Sequence, residues 1–297
     1  MLRFRHVTVR DFRNIEHVEL EPAERLNVVF GDNGHGKTRM LEALYVVAPS
    51  KSFRAEKSAE FIAHGADTTR IVAAIDDGGL PREQRANVSA KSRTFSVDGK
   101  RIARLASYAT RTPVVIFHPG DLALASGAAA GRRTLLDRIA LFIDPTSADH
   151  RARFAKALRE RQRALEERGT RAAELDAYEE LVARHGAGLE RARARAADRL
   201  CSALGAAFRQ MAAPELALTA VFRPGGSEDE AELRRALEAA RPIDLRRGSA
   251  TLGPHRDDLE LDIDGRSARR HASQGQQRVL ALAALGACHA RTCGDRI

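Results

Sequence analysis

Cysteine is scarce. Cys201, Cys288 and Cys293 are an odd set with no C-x-x-C among them. Cys288, His289 and Cys293 supply two thiols and one imidazole at a spacing that fits no common zinc site, and no fourth ligand is evident, so buried or idle thiols are expected. No run approaches ~18 apolar residues, so no membrane span is expected. The N-terminus, Met1-Leu2-Arg3-Phe4-Arg5-His6, turns polar too soon for a signal peptide, and the expected location is cytoplasmic. No internal repeat is visible. No heptad persists long enough for an extended coiled coil.

What is present is the composition of a soluble globular chain: 297 residues, 43% hydrophobic and 30% charged. That is enough for one large domain or two smaller ones with a real core. The formal net charge is +9, carried far more by arginine than by lysine. Such a surplus favours a polyanionic partner, nucleic acid first, although an arginine-rich proteome would leave the same mark.

The most informative stretch is Gly31-Asp32-Asn33-Gly34-His35-Gly36-Lys37-Thr38, which fits G-x-x-x-x-G-K-[ST]. An apolar run, Leu26–Phe30, precedes it and reads as a strand. A helix-periodic run follows, with Met40, Leu41, Leu44, Tyr45 and Ala48 on one side. Strand, glycine loop, helix is the context of a phosphate-binding loop. Glycines let successive N–H groups turn inward around a phosphate, where a Cβ would collide. The helix that starts there adds its positive dipole end. Lys37 is expected at the β- and γ-phosphates of ATP and the Thr38 hydroxyl at Mg²⁺.

Around this loop, Leu2–Val9 and Ile15–Leu20 read as strands joined by a turn at Asp11–Asn14. Ser50–Arg54 reads as a surface connection or as a lid, with Lys51 or Arg54 near the nucleotide. Arg70–Asp76 and Arg85–Ala90 are short strands, Thr94–Ile102 is a hairpin turning at Asp98-Gly99, and Pro113–Phe117 reads as a buried strand. From 129 to 212 the pattern is helical. Pro145 starts a new helix, and an antiparallel hairpin breaks near Gly169 and near Gly186–Gly188. Arg151, Arg153, Arg159, Arg161 and Arg163 read as a solvated surface or as a DNA-contacting patch. Strand character returns at 216–222 and at Leu259–Ile263, with a helix over Glu228–Ala240 between them and a turn at Asp264-Gly265. The expected fold is α/β, a P-loop ABC-type ATPase head with an inserted helical second lobe. The head takes 1–120 and 243–297 and the lobe 121–242.

Ser273-Gln274-Gly275-Gln276-Gln277-Arg278 precedes an apolar helix. Ser273 can cap it, and the loop N–H groups face an anion. Paired with the upstream loop, this resembles the signature segment of ABC-type ATPases. With it the chain resembles the RecF family of bacterial DNA replication and repair proteins, relatives of the Rad50 and SMC heads. Further matches run in family order: Val9–Asn14, Gly31–Thr38 with Leu41-Glu42-Ala43, Ser52–Arg54, Phe117–Leu122, Arg132-Arg133, Leu136-Asp137-Arg138 and Gly253–Leu259. Gly120 stands where that family usually has an acid.

The resemblance implies a cytoplasmic, ATP-dependent, DNA-binding protein. It implies a homodimer formed on ATP, in which Ser273, Gln274, Gly275 and Gln276 act in trans on the partner's γ-phosphate. It further implies action at single-stranded, gapped and junction DNA, with RecO and RecR as partners in recombinase loading and a role in the SOS response. The family continues into an acidic Walker B segment, whereas this chain stops at Asp295-Arg296-Ile297, so no catalytic acid is assigned. Weak ATPase activity and poor stability are the corresponding expectations. A non-hydrolysing, ATP-gated DNA clamp is an alternative. So is a small-substrate P-loop kinase, against which the signature segment and helical insertion argue.

Overall fold

The computed structural model describes residues 2–49, 57–211 and 215–293. The expected lid at Lys51 and Arg54, the Ser52–Arg54 match and Asp295–Ile297 lie outside these. The chain divides into two compact units, Met1–Val114 and Val115–Ile297.

The first unit is built on an antiparallel sheet. Its strands are β1 (Leu2–Phe12), β2 (Ile15–Leu20), β3 (Thr68–Asp77), β4 (Leu80–Ser89), β5 (Arg93–Val97) and β6 (Lys100–Arg101), in the order β2-β1-β3-β4-β5-β6. Alternation sets the buried face. Val7 and Val9, Ile71, Ala73 and Ile75, Ala86 and Val88, and Phe95 all point inward. Helix α1 (Lys37–Val47) adds Ala43, Val46 and Val47 to that core, and α2 (Leu105–Ala109) adds Tyr108, whose hydroxyl donates to the Val47 carbonyl. The two-residue turn at Asp98-Gly99 has φ of 49° and 75°, the left-handed pair a tight hairpin needs.

Two expected strands do not form. Residues 26–30 pair with no described strand, and Leu26, Val28 and Phe30 are 78%, 73% and 90% exposed. Pro113–Phe117 likewise is not a strand, with Phe117 exposed. β-propensity and apolar character make a strand only where a neighbour takes up its backbone groups. Among the described residues no strand ladder includes either segment.

The second unit is mainly helical: α3 (Ala123–Ser126), α4 (Ala129–Ile143), α5 (Ser147–Arg168), α6 (Leu175–Met211), α7 (Glu230–Arg247), α8 (Ala268–His271) and α9 (Gln274–Cys293). A small antiparallel sheet, β7 (Leu218–Arg223), β8 (Asp258–Ile263) and β9 (Arg266–Ser267), completes it, with its turn at Asp264-Gly265. The main core joins Leu136 and Ile139 of α4, Leu200, Leu204 and Phe208 of α6, Leu259 and Leu261 of β8, and Leu280 and Ala284 of α9.

Helices α5 and α6 are antiparallel, as expected. Gly169, with φ of 77°, ends α5, and pairs run outward from the bend: Arg168–Glu174, Arg161–Glu179, His150–His185. The expected break at Gly186–Gly188 is absent, because α6 runs unbroken through it. Those glycines serve packing. A Cβ on Gly188 would lie 2.4 Å from the His150 ring, and one on Gly186 would lie 2.9 Å from Leu233. The arginine run on α5 is also split in character. Arg161 is fully buried, so it is no part of a surface patch. Its guanidinium donates to Glu179 (3.0 Å), Asp244 (2.7 Å) and the Leu237 carbonyl (2.7 Å), tying α5 to α6 and α7. Among the described residues no helix is long and apolar enough to cross a membrane.

Candidate functional site

In the first unit, Gly31–Thr38 forms a turn-rich loop opening onto α1. Gly31, Gly34 and Gly36 have φ of 141°, 93° and 89°. A Cβ at Gly31 or Gly34 would meet nothing within 4 Å. Glycine is thus required by backbone conformation and not by crowding. Gly36 is the residue before α1, and neither a side-chain cap nor a first-turn acid serves that helix. Among the described residues no capping side chain serves its first-turn N–H groups, the condition under which a helix start takes an anion. Lys37 lies over the loop, its Nζ donating to the carbonyls of Gly31 (2.6 Å) and Asp32 (2.8 Å). Asp32, Asn33, His35 and Thr38 are exposed around it. A triphosphate fits this donor set, and the exposed Thr38 hydroxyl at the first turn fits a hard cation beside it.

The turn between β1 and β2 braces this loop. Arg13, itself at φ 56°, makes a bidentate pair with the fully buried Glu42 of α1, at 2.8 and 2.9 Å. The Asn14 Oδ1 lies 3.7 Å from where a Gly36 Cβ would stand. Two sequence matches that are separate along the chain, Val9–Asn14 and Leu41–Ala43, are thus one contact.

In the second unit, Ser273 and Gln276 form a reciprocal capping box at the start of α9. Ser273 N donates to Gln276 Oε1 (2.8 Å), and Gln276 N donates to Ser273 Oγ (3.2 Å). Gln277 Nε2 donates to the Ala272 carbonyl at 2.9 Å. Ser273, Gln274 and Gly275 are exposed.

The other matched stretches of this unit meet in a buried ionic network. Arg132 pairs with Asp258 at 2.7 and 2.9 Å, and Arg133 donates to the Asp257 carbonyl. Burial alone would raise the Asp258 carboxyl, but the Arg132 guanidinium outweighs it and holds it below its usual range. Arg193 of α6 joins Asp137 (2.7 and 3.1 Å) to Asp257 (2.8 Å). Beside it the buried Glu190 Oε1 accepts from Gly226 N, while Oε2 has no donor. Burial, then the charge of Asp257, push the Glu190 carboxyl up to about 8. Burial thus favours the neutral acid at Glu190. Arg193 and Glu190 escaped the sequence reading, since nothing in an Ala- and Arg-rich helix distinguishes a buried charge from a solvated one. Gly120, in place of the expected acid, lies under His118. A Cβ there would come within 2.6 Å of that ring, and Gly120 N donates to His118 Nδ1.

No protein-family model matches the chain. The DNA replication and repair protein RecF of Anaeromyxobacter sp. (strain Fw109-5) is 38% identical over 288 residues, 93% of this chain and 77% of that protein. RecF of Myxococcus xanthus (strain DK1622) is 35% identical over 292 residues, 95% of this chain and 77% of that one. Among solved structures, that of the recombination mediator protein RecF with ATPrS matches with a TM-score of 0.89. It is 22% identical, over 99% of this chain and 83% of that one. The Smc head domain of Pyrococcus furiosus follows the same fold more loosely, with a TM-score of 0.52 at 14% identity, over 97% of this chain and 79% of its own.

Proposed function

This chain belongs to the RecF family of DNA replication and repair proteins, and on that premise we propose that it is an ATP-dependent DNA-binding protein of recombinational repair. Mg²⁺-ATP occupies Gly31–Thr38. Lys37 leaves the loop carbonyls to hold the β- and γ-phosphates, backbone N–H groups of Asn33, Gly34 and Gly36 cradle phosphate, and Thr38 Oγ1 faces Mg²⁺. When bound, the cation supplies charge neutralisation between the phosphates. Ser273–Gln276 faces the γ-phosphate held by a second copy, so that ATP joins two copies into a homodimer. In this scheme 1–120 and 243–297 serve as the ATPase head and 121–242 as its helical lobe.

Exposed arginines then contact the backbone of single-stranded, gapped or junction DNA. RecO and RecR are the partners, recombinase loading and the SOS response the setting, and the cytoplasm the location. The observation that carries the proposal is the loop before α1: three glycines at positive φ leading into a helix start with no side-chain cap.

The test is Lys37→Ala. Losing two charge-assisted bonds to phosphate, each worth about 1.5 kcal/mol or more, weakens ATP binding by about a hundredfold. ATP-dependent DNA binding disappears with it, while in the wild type log K for DNA falls linearly with log salt. Unchanged nucleotide affinity in the variant would overturn the site. A flat salt response would overturn the phosphate contacts.

A further inference from the structure

We propose that the uncovered edge of β8 is a docking site for an extended, acidic segment of a partner protein, which adds a strand to the small sheet and sets its carboxylates against Arg269 and Arg270. The site lies wholly within the second unit, so its failure would leave the nucleotide assignment above untouched.

A cavity of about 760 Å³ borders β8, and every residue from Asp258 to Asp262 lines it. Side chains of a strand alternate between its two faces, so a cavity that touches five residues in a row runs along the backbone edge. β7 pairs with all of β8, from Asp258 to Ile263, and takes one edge. The cavity therefore lies at the other edge, where β9 pairs only with Asp262 and Ile263. Among the described residues no strand pairs there with Asp258–Leu261. The direction of the backbone agrees. Asp264 N donates to the Ala217 carbonyl on the β7 side at 2.9 Å, so by alternation Leu259 and Leu261 turn their N–H and C=O groups to the cavity edge. The Leu259 N–H is met by the carboxylate of its own neighbour, Asp258, at 2.8 Å. Such a local acceptor takes the place of an absent ladder partner.

Charge selects the occupant. Arg269 and Arg270 of α8 line the same groove and are exposed, and among the described residues neither has an ion-pair partner. On β8, Asp258 is paired with Arg132 and Glu260 with Arg223, which leaves Asp262 against two unopposed cations. A nucleic-acid strand, charged at every phosphate, would have to run beside three carboxylates on one strand. A peptide backbone is neutral. It supplies the donors and acceptors that a sheet edge takes up, and it carries acids only where the arginines stand. The cavity volume falls within the range of about 300–1,000 Å³ usual for binding pockets.

The experiment measures fluorescence anisotropy of a fluorescein-labelled octapeptide of alternating valine and glutamate. The protein is wild type or the double variant Arg269→Gln, Arg270→Gln, with folding of the variant checked by circular dichroism. The wild type is expected to bind this peptide saturably, and at least about tenfold more tightly than the same peptide with lysine for glutamate. The double variant is expected to bind it at least about tenfold more weakly. At saturation, amide hydrogen exchange of the 258–263 segment should slow at least about tenfold, a change that ion pairing at the arginines alone would not produce. No saturable binding, equal affinity for the lysine peptide, an unaffected double variant, or binding without slowed exchange in β8 would each overturn the proposal. A duplex oligonucleotide that loses affinity in the double variant, while the glutamate peptide fails to bind, would assign the arginines to nucleic acid instead.

Discussion

Replacing Glu190 by glutamine tests whether a carboxyl buried beside Asp257 keeps its proton. Glu190 Oε1 accepts from Gly226 N at 3.0 Å, and its other oxygen has no donor. The substituted amide keeps that acceptor, and Glu190→Gln is nearly isosteric. The native state raises this carboxyl from 4.5 to about 8. Between those values the folded protein holds a proton that the unfolded chain has released. Stability therefore falls as pH rises through that window, by about 1.4 kcal/mol per pH unit. The accumulated loss at pH 9 is on the order of 3 kcal/mol, since coupling to Asp257 and Arg193 shares part of it. The amide has no such proton to lose. Urea unfolding of both proteins from pH 5 to 9 should give similar free energies at pH 5 and a gap favouring Glu190→Gln that opens toward pH 9. Parallel pH profiles, or a variant weaker at every pH, would mean that Glu190 is ionised in the folded protein and that the reasoning is wrong.

Arg161→Met removes the cation between Glu179 and Asp244, both fully buried or nearly so. Glu179 keeps Arg241, but among the described residues the Asp244 carboxylate retains only the neutral donors of Thr251, and a loss of about 3–5 kcal/mol in thermal or urea unfolding is expected. Gly188→Ala places a methyl 2.4 Å from the His150 ring. It should cost about 1–3 kcal/mol and leave nucleotide binding by the first unit intact. An unaltered melting curve would show that His150 moves aside at no cost.

Much of the candidate site was legible along the chain because it is local. A glycine loop running into a helix, a Ser-x-x-Gln start, and Asp-Gly hairpin turns each depend on residues within one turn of each other. Their φ values and hydrogen bonds follow from side-chain type. The helical stretch from 129 was legible for the same reason, since periodicity reports which face is buried. Strands were legible only where neighbours exist. Leu26–Phe30 has the composition of a strand, and no ladder beside it among the described residues.

Sequence by itself determined the glycine loop before α1, the capped start of α9 and the family, since each is written in contiguous residues or in the order of motifs. Tertiary structure decided which charges are buried. Arg161, Glu190 and Arg193 look like their solvated neighbours in sequence, and only packing against α4, α7 and the loop before β8 takes them out of water. It also decided what two glycines in the middle of α6 are for: a break by propensity, close contact with His150 and Leu233 by structure. Burial and long-range pairing are properties of neighbours brought together from far along the chain, and no local rule contains them.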